Sequence, residues 1–381
     1  MTATLYGYAF LDDFVLLYPV YALLFSDTGL SVWQISSLFV IWSVTGVVLE
    51  VPSGAWADAV SRRLLLVLGP LLTAVGFALW VLVPSYWSFA LGFVLWGARG
   101  ALVSGALEAL VFEELERLGE SERYARTMGR SRAAGLVAVM SATGPAGPVL
   151  AWGGFVAVGA ASVLACLASA VLATRFPEHR ATAEDEDEGW VVALRAGLGE
   201  IRRERSLRGA VLLVPAVTAV WGALDEYTPL LVRETGVSEA RVPFLLLLVW
   251  AAATAGSLFA GRCERLGAKG LALLLGGAAA ALAAGAAAGT PVALGLVALA
   301  FGGFQLATVL ADVRLQQRIE DTGRATLTSV AGLGTDLLTV AVYAGYAAIV
   351  TRTDHATAFT LSALPYLLTA LLLTLRARDR R

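Results

Sequence analysis

The chain has 381 residues, of which 58% are hydrophobic and 15% are charged. Soluble domains average about 45–50% apolar and about 25% charged residues, so this composition excludes an ordinary soluble enzyme. The net charge of −2 argues against a nucleic-acid partner, which needs a surplus of Lys and Arg. Two cysteines and two histidines lie too far apart for a disulfide framework or a metal site. We expect no metal and no cofactor.

Long apolar runs between short charged islands predict an all-α polytopic membrane protein with twelve transmembrane helices. The N-terminus lacks the basic region of a signal peptide, so we interpret it as a retained first span. The fifth and sixth spans are separated only by the turn at Trp152-Gly153-Gly154. The predicted spans are 4–25, 34–57, 64–83, 87–111, 132–150, 154–174, 209–232, 242–260, 270–289, 291–311, 325–350 and 357–375.

Basic residues predict the orientation of these spans. With both termini in the cytoplasm, 24 of the 28 Lys and Arg residues fall in inner loops or the C-terminal tail. Cytoplasmic loops of membrane proteins carry such an excess. Only one of these residues is a lysine, which we interpret as the codon bias of a high-GC bacterium. The sequence therefore predicts a multi-pass protein of a bacterial inner membrane with cytoplasmic termini.

A long inner connection divides the chain into predicted six-helix bundles at 1–176 and 209–381. The connection, 177–208, contains the acidic run AEDEDE, which is typical of a solvated linker. After it, apolar residues at helical spacing alternate with arginines, which predicts an amphipathic helix on the inner membrane surface.

The two halves repeat each other. Thr28-Gly29-Leu30-Ser31 corresponds to Thr235-Gly236-Val237-Ser238, and the loop after each half's second span corresponds at nearly the same offset. Duplicated six-span halves are a transporter architecture, with the substrate site between the repeats near mid-membrane.

The inner loop of the first repeat resembles the signature loop of the major facilitator superfamily. Gly54, Asp58, Arg62 and Arg63 fit that signature, while Ala59 replaces its basic residue and Ser61 its second glycine. The resemblance extends over essentially the whole chain and implies two pseudo-symmetric six-helix bundles.

Two partial motifs narrow the resemblance towards drug:proton antiporters. Arg99 with Gly105-Ala106 resembles part of the superfamily's intramembrane arginine motif. Gly144–Pro148 resembles part of the antiporter-associated Gly-Pro motif, with Pro148 where a glycine is expected.

Charged residues inside the spans are the main functional candidates, because a charge in the hydrocarbon core costs at least ~2.5–3.5 kcal/mol. The third, sixth, ninth and twelfth spans contain none, which agrees with the lipid-facing positions that the resemblance implies for them. The charged candidates are Asp12, Asp13, Arg99, Glu108, Asp225, Glu226 and Asp336, with Glu50 near the inner end of the second span.

Asp12, Asp13 and Arg99 are the predicted proton-coupling residues. Adjacent helical residues point about 100° apart, so we expect one aspartate to pair with Arg99 and the other to face elsewhere. An acid balanced between a neighbouring arginine and desolvation can load and release a proton. The alternative is a static ion pair that holds the first and fourth spans together.

A second set of residues is predicted to bind substrate. Asp225 and Glu226 suit a cationic substrate, a second proton or an outer gate, with hydration of an outer vestibule as the structural alternative. Aromatic walls with a few acids suit bulky amphiphilic or cationic compounds. The full predicted set is Trp96, Trp221, Asp225, Glu226, Gln305 and Asp336.

A third set is predicted to form a conformational latch on the inner side. An acid at the inner end of the second span can pair with an arginine or a helix N-terminus of the opposite half and separate when the inner side opens; a plain topology determinant is the alternative. The set is Glu50, Gly54, Asp58, Arg62, Arg63, Glu108, Glu264 and Arg265.

These observations predict a secondary transporter, not an enzyme, that exports small hydrophobic or cationic compounds in exchange for protons and works as a monomer. Proton-coupled uptake of a metabolite and translocation of lipid or lysolipid are the alternatives. A nucleotide-driven pump is excluded because the chain has no phosphate-binding loop of the Gly-x-x-x-x-Gly-Lys-Ser/Thr type.

Overall fold

The computed structural model describes residues 1–59, 61–177, 205–318 and 324–378, and these are almost entirely α-helical. Only the backbone is described for 50–59, 104, 205–206, 324–326 and 376–378. Two short 3₁₀ helices, Ser121–Arg123 and Glu239–Arg241, precede the sixth and eighth α-helices. The α-helices are α1 (Thr2–Asp13), α2 (Tyr21–Asp27), α3 (Val32–Ala59), α4 (Arg62–Leu82), α5 (Tyr86–Arg117), α6 (Tyr124–Ala173), α7 (Arg205–Glu234), α8 (Val242–Cys263), α9 (Ala268–Ala287), α10 (Leu294–Gln316), α11 (Arg324–Val350), α12 (His355–Leu361) and α13 (Leu364–Arg378).

The all-helical membrane fold is confirmed. Within the described ranges, ten helical segments are long and apolar enough to cross a membrane. One of them, Ser121–Ala173, has 53 residues and forms two passages, divided at Gly154 with φ 63°. A left-handed φ favours glycine, which has no Cβ to clash. With the divided first span, these helices make the twelve predicted passages.

The prediction of a continuous first span over 4–25 is wrong. The helix ends at Asp13, residues 14–20 are non-helical, and α2 begins at Tyr21. Pro19 explains the break, because proline has no N–H to donate to the preceding turn and its ring disfavours helical geometry at Tyr18.

The last predicted span, 357–375, is also divided. A turn at Ser362 and Ala363 separates α12 from α13. Pro365 follows in the first turn of α13, where a missing N–H is tolerated.

The second half of α6 shows which side of a span faces lipid. Leu164 and Val171 are both 66% exposed, whereas Ser162, Cys166 and Ser169 on the opposite face are at most 1% exposed. A soluble protein would bury the leucine and valine. The inverted pattern indicates that small residues face the protein and large apolar residues face the acyl chains.

The chain forms two compact units, each with its own helix packing. Met1–Glu184 with Glu239–Phe244 forms the first unit, and Asp185–Ser238 with Leu245–Arg381 forms the second. In the first, α1 packs along α6 and α4 packs on α5 and α6; in the second, α7 packs on α10 and α11. The predicted linker 177–208 lies almost wholly outside the described residues, so its amphipathic helix and the bundle boundaries at 176 and 209 remain predictions.

Glycines allow close approach of helices in both units. A Cβ on Gly76 would lie 3.2 Å from the backbone of Gly92, and one on Gly256 would clash with the carbonyl oxygen of Gly302. Such contacts bring helix backbones together where no hydrophobic driving force between helices exists.

Candidate functional site

The broken first span places its two aspartates at the end of α1, within the first unit. The carboxylate of Asp12 forms an ion pair with the guanidinium of Arg99 on α5, and these side chains are only 9% and 19% exposed. Sequence analysis left open which aspartate meets Arg99, and the structure pairs it with Asp12. Because Asp12 and Arg99 compensate each other, neither presents an uncompensated charge to the membrane interior.

Asp13 points to a different neighbour, the first half of α6. Its carboxylate occupies the space that a Cβ on Gly135 would fill. Among the described residues it makes no hydrogen bond and no ion pair, and its side chain is only partly exposed. Within the described part of the chain, Asp13 is therefore a carboxylate without a charged partner, next to one that is paired with Arg99.

Trp96, one turn before Arg99, lies inside an aromatic cluster of the first unit. Its indole is stacked between the rings of Trp42, at 4.8 Å, and Tyr18, at 5.3 Å. Trp96 is 9% exposed, while Trp42 and Tyr18 are partly exposed. The predicted substrate role of Trp96 is not tested by this packing, but the more accessible rings are those of its two neighbours.

In the second unit, the acidic pair on α7 lies against α8 and α11. Trp250 Nε1 donates a hydrogen bond of 3.0 Å to Asp225 Oδ1. Asp336 and Tyr343 lie on α11, which packs on α7, and the ring of Tyr343 contacts that of Tyr227, next to Glu226, at 6.0 Å between centroids. The structure thus places the three predicted acids of this half on two helices that pack together.

Trp221 and Gln305 lie on neighbouring helices and are both hydrogen-bonded. Trp221 Nε1 donates to Thr308 Oγ1 at 3.1 Å, and Gln305 Nε2 donates to Ser257 Oγ at 2.8 Å. These bonds fix the orientation of both predicted substrate residues, and their role in binding remains a prediction.

On the predicted inner side, polar contacts connect the region between the second and third spans of each unit to its fourth span. Arg62 forms an ion pair with Glu113 of α5. In the second unit, Arg314 of α10 donates to the carbonyl oxygens of Leu266 and Gly267.

The remaining predicted latch residues are distributed around these contacts. Glu108 lies 3.6 Å from Arg132, with both side chains largely exposed, so this pair contributes little to stability. Glu264 accepts a hydrogen bond from Gln317, and Arg265 is exposed. Arg63 is partly buried beside Arg62. Glu50, Gly54 and Asp58 lie on α3, and their side chains are outside the described part of the structure.

His355 begins α12 and belongs to a polar network. Its Nδ1 lies 2.6 Å from the hydroxyl of Tyr346, and its backbone N–H donates to Glu234. Asp354, in the loop just before His355, caps α12 by accepting a hydrogen bond from the N–H of Thr357. This hydrogen bond lowers the pKa of the Asp354 carboxyl.

Several of these partners were missed by sequence reasoning: Gly135, Trp250, Thr308, Tyr343 and Glu113. The sequence indicates none of these partners. It does indicate the break in the first span, through Pro19 in the middle of an apolar run. Among the described residues, no group of His, Cys, Asp and Glu has the arrangement of a metal site.

The family model of the Major Facilitator Superfamily matches residues 2–341. The chain belongs to the major facilitator superfamily. It is therefore a multi-pass secondary transporter that moves small molecules across a bilayer, and not an enzyme. A search of curated proteins found no match.

Solved structures of other transporters have the same fold as this superfamily member. The nucleoside transporter NupG is 13% identical with a TM-score of 0.77, covering 98% of both chains. A POT family transporter, PepTSo, is 11% identical with a TM-score of 0.74, covering 99% of this chain and 97% of its own. A D-xylose-proton symporter is 15% identical with a TM-score of 0.69, covering 98% and 95%. At these identities the likeness shows the fold alone.

Proposed function

We propose that this protein exports small hydrophobic or cationic compounds in exchange for protons by alternating access. The observation that carries the proposal is the contrast between Asp12, paired with Arg99, and Asp13, which has no charged partner among the described residues. The resemblance to drug:proton antiporters in the arginine and Gly-Pro motifs supports the direction of transport.

Asp13 is the proton carrier in this proposal. An isolated carboxylate away from water favours its neutral form, whereas water access favours ionisation. A conformational cycle that alternates water access would therefore load and release a proton there. Asp12 is paired with Arg99, so its part is to anchor α1 to α5.

The acids of the second unit serve substrate binding. Asp225 accepts a hydrogen bond from Trp250, and Tyr227, next to Glu226, contacts the ring of Tyr343, so negative charge and aromatic rings occur together. Aromatic faces and carboxylates both attract organic cations. Trp221, Gln305 and Asp336 complete the proposed binding surface of this unit.

The test is intravesicular pH in proteoliposomes during addition of lipophilic cations, neutral antibiotics or lysolipids. Wild type is compared with Asp13→Asn and with Glu116→Gln, which removes one negative charge from an exposed position of α5. We expect compound-driven proton flux in wild type and Glu116→Gln, and loss of that flux in Asp13→Asn. Equal flux in all three proteins would contradict the role of Asp13.

Uptake by proton symport is the second candidate. The hydrogen-bonded pair Gln305–Ser257 is of the kind that binds substrate hydroxyl groups. In the same vesicles, symport moves protons with the compound and antiport moves them against it, so the sign of the pH change decides between the two.

A further inference from the structure

The non-helical segment of the first span needs acceptors for its backbone N–H groups. Residues 14–20 lie where a continuous helix would otherwise cross the membrane. Backbone polar groups at that depth are costly unless the protein satisfies them. Val15 N–H donates to Asp13 O at 2.9 Å and Val20 N–H to Leu17 O at 3.0 Å, both within or next to the segment.

The backbone N–H of Leu17 has its acceptor outside the segment. Its N–H donates to Ser162 Oγ on the second half of α6, at 3.1 Å and 145 positions along the chain. The hydroxyl of Ser162 donates in turn to Val158 O at 2.8 Å. Because its one proton is used there, the oxygen presents its lone pairs to Leu17.

We propose that Ser162 is a positioning residue for the coupling acids. It anchors Leu17, four residues after the end of α1. This contact holds the two carboxylates in place, Asp12 on Arg99 and Asp13 against Gly135. This inference rests on the proposed function, because it assigns Ser162 a part in coupling through Asp13. Ser162 itself carries no proton to or from the substrate.

The packing of α1 along α6 supports this part. The second half of α6 also contacts α1 further along: a Cβ on Gly7 would lie 2.9 Å from Leu172. Cys166, one turn beyond Ser162, is buried on the same face as Ser162, at 1% exposed. The second half of α6 therefore contacts both α1, at Gly7, and the segment after it, at Leu17, while the two acids between these points contact α5 and the first half of α6.

Ser169 provides a matched control on this face. It lies two turns from Ser162 and is equally buried, at 0% exposed. Its hydroxyl has no hydrogen-bond partner in the described part of the chain. Ser→Ala at 162 and at 169 thus removes the same atom from the same kind of environment, but only the first removes an acceptor from a backbone N–H.

The first measurement is amide hydrogen exchange of the segment 11–21 in nanodiscs. We expect faster exchange in Ser162→Ala than in wild type, wild-type exchange in Ser169→Ala, and recovery in Ser162→Thr, whose hydroxyl can accept the same bond. Equal exchange in the two alanine variants would overturn the anchoring role, whatever the protein transports.

The second measurement is the pH profile of compound-driven proton flux in proteoliposomes. We expect Ser162→Ala to lower the flux about fivefold or more and to move its pH midpoint, while Ser169→Ala keeps both. Flux and midpoint alike in the two variants would overturn the coupling role. Wild-type vesicles without flux would instead refute the proposed function, and the exchange result would still decide the anchoring role of Ser162.

If Ser162→Ala does not accumulate, the comparison is made with Ser162→Thr and Ser162→Cys, whose sulfur is a weak acceptor.

Discussion

At the scale of single residues, Asp12 and Arg99 make the clearest energetic prediction. Both are largely buried and compensate each other, so removing either charge leaves the other uncompensated. We expect Asp12→Asn and Arg99→Gln each to lower the stability of the folded protein by about 3 kcal/mol. The double variant removes both charges and should lose less than either single variant.

The measurement is thermal unfolding of the four proteins in one detergent, followed by tryptophan fluorescence. The coupling between the two changes is read from the double-mutant cycle. Additive losses would contradict the ion pair as a mutually compensating unit.

Asp225 makes a second residue-scale prediction because Trp250 fixes one of its oxygens. Trp250→Phe keeps an aromatic ring and removes the N–H donor. Under the proposed cation site, we expect KM for cationic compounds to rise about three- to tenfold, or ~0.6–1.4 kcal/mol, with KM for neutral compounds unchanged. Trp33→Phe, at a ring 48% exposed, is the control. An equal change for neutral compounds would show that Trp250 acts through packing.

At the scale of elements, hydrophobic runs were sufficient to predict most helices. The predicted span 242–260 corresponds to the helix Val242–Cys263, and the predicted span 270–289 corresponds to the helix Ala268–Ala287. The prediction of the first span was wrong because the apolar run continues through Pro19, and the length of an apolar run does not indicate a missing backbone donor.

The prediction that one aspartate meets Arg99 followed from helical geometry. Which of the two does so depends on rotation of α1 in its packing, which a single sequence does not encode locally.

Side-chain partners across helices were the least predictable feature. Gly135 has no side chain to signal a contact, yet its missing Cβ makes room for the Asp13 carboxylate. Ser162 is one of several small polar residues in an apolar span, and the break after α1 adds the N–H of Leu17 as a partner. Such contacts arise from tertiary packing of irregular segments, so no periodicity in the sequence marks them.

The contact between α1 and α6 makes an element-scale prediction. Gly135→Ala places a methyl group where the Asp13 carboxylate lies, so we expect compound-driven proton flux to fall with little loss of folded protein. Gly129→Ala, on the same helix with no atom near the added Cβ, should keep wild-type flux and gain up to ~1 kcal/mol of helix stability. Flux and thermal unfolding of both variants are measured in parallel. Normal flux in Gly135→Ala would show that the position of Asp13 tolerates displacement.

At the scale of the whole molecule, the two units repeat a helix arrangement but use different chemistry on the predicted inner side. The first unit connects the first residue of α4 to the fourth span through an ion pair, Arg62–Glu113. The second uses an arginine of the fourth span, Arg314, on loop carbonyls. The repeated feature is the mechanical connection, while the residues that make it have diverged.

The orientation of the whole chain is the last prediction, and it rests on the basic residues concentrated in the predicted inner loops. Cys263 ends α8 and is partly exposed, whereas Cys166 is buried, so a membrane-impermeant maleimide should react with Cys263 alone. We expect labelling in inside-out vesicles and none in right-side-out vesicles, with Cys263→Ser abolishing it. Labelling from the outer side only would reverse the predicted topology. The helix ends that carry Arg62 and Arg314 would then lie outside, and the predicted inner latch would become an outer one.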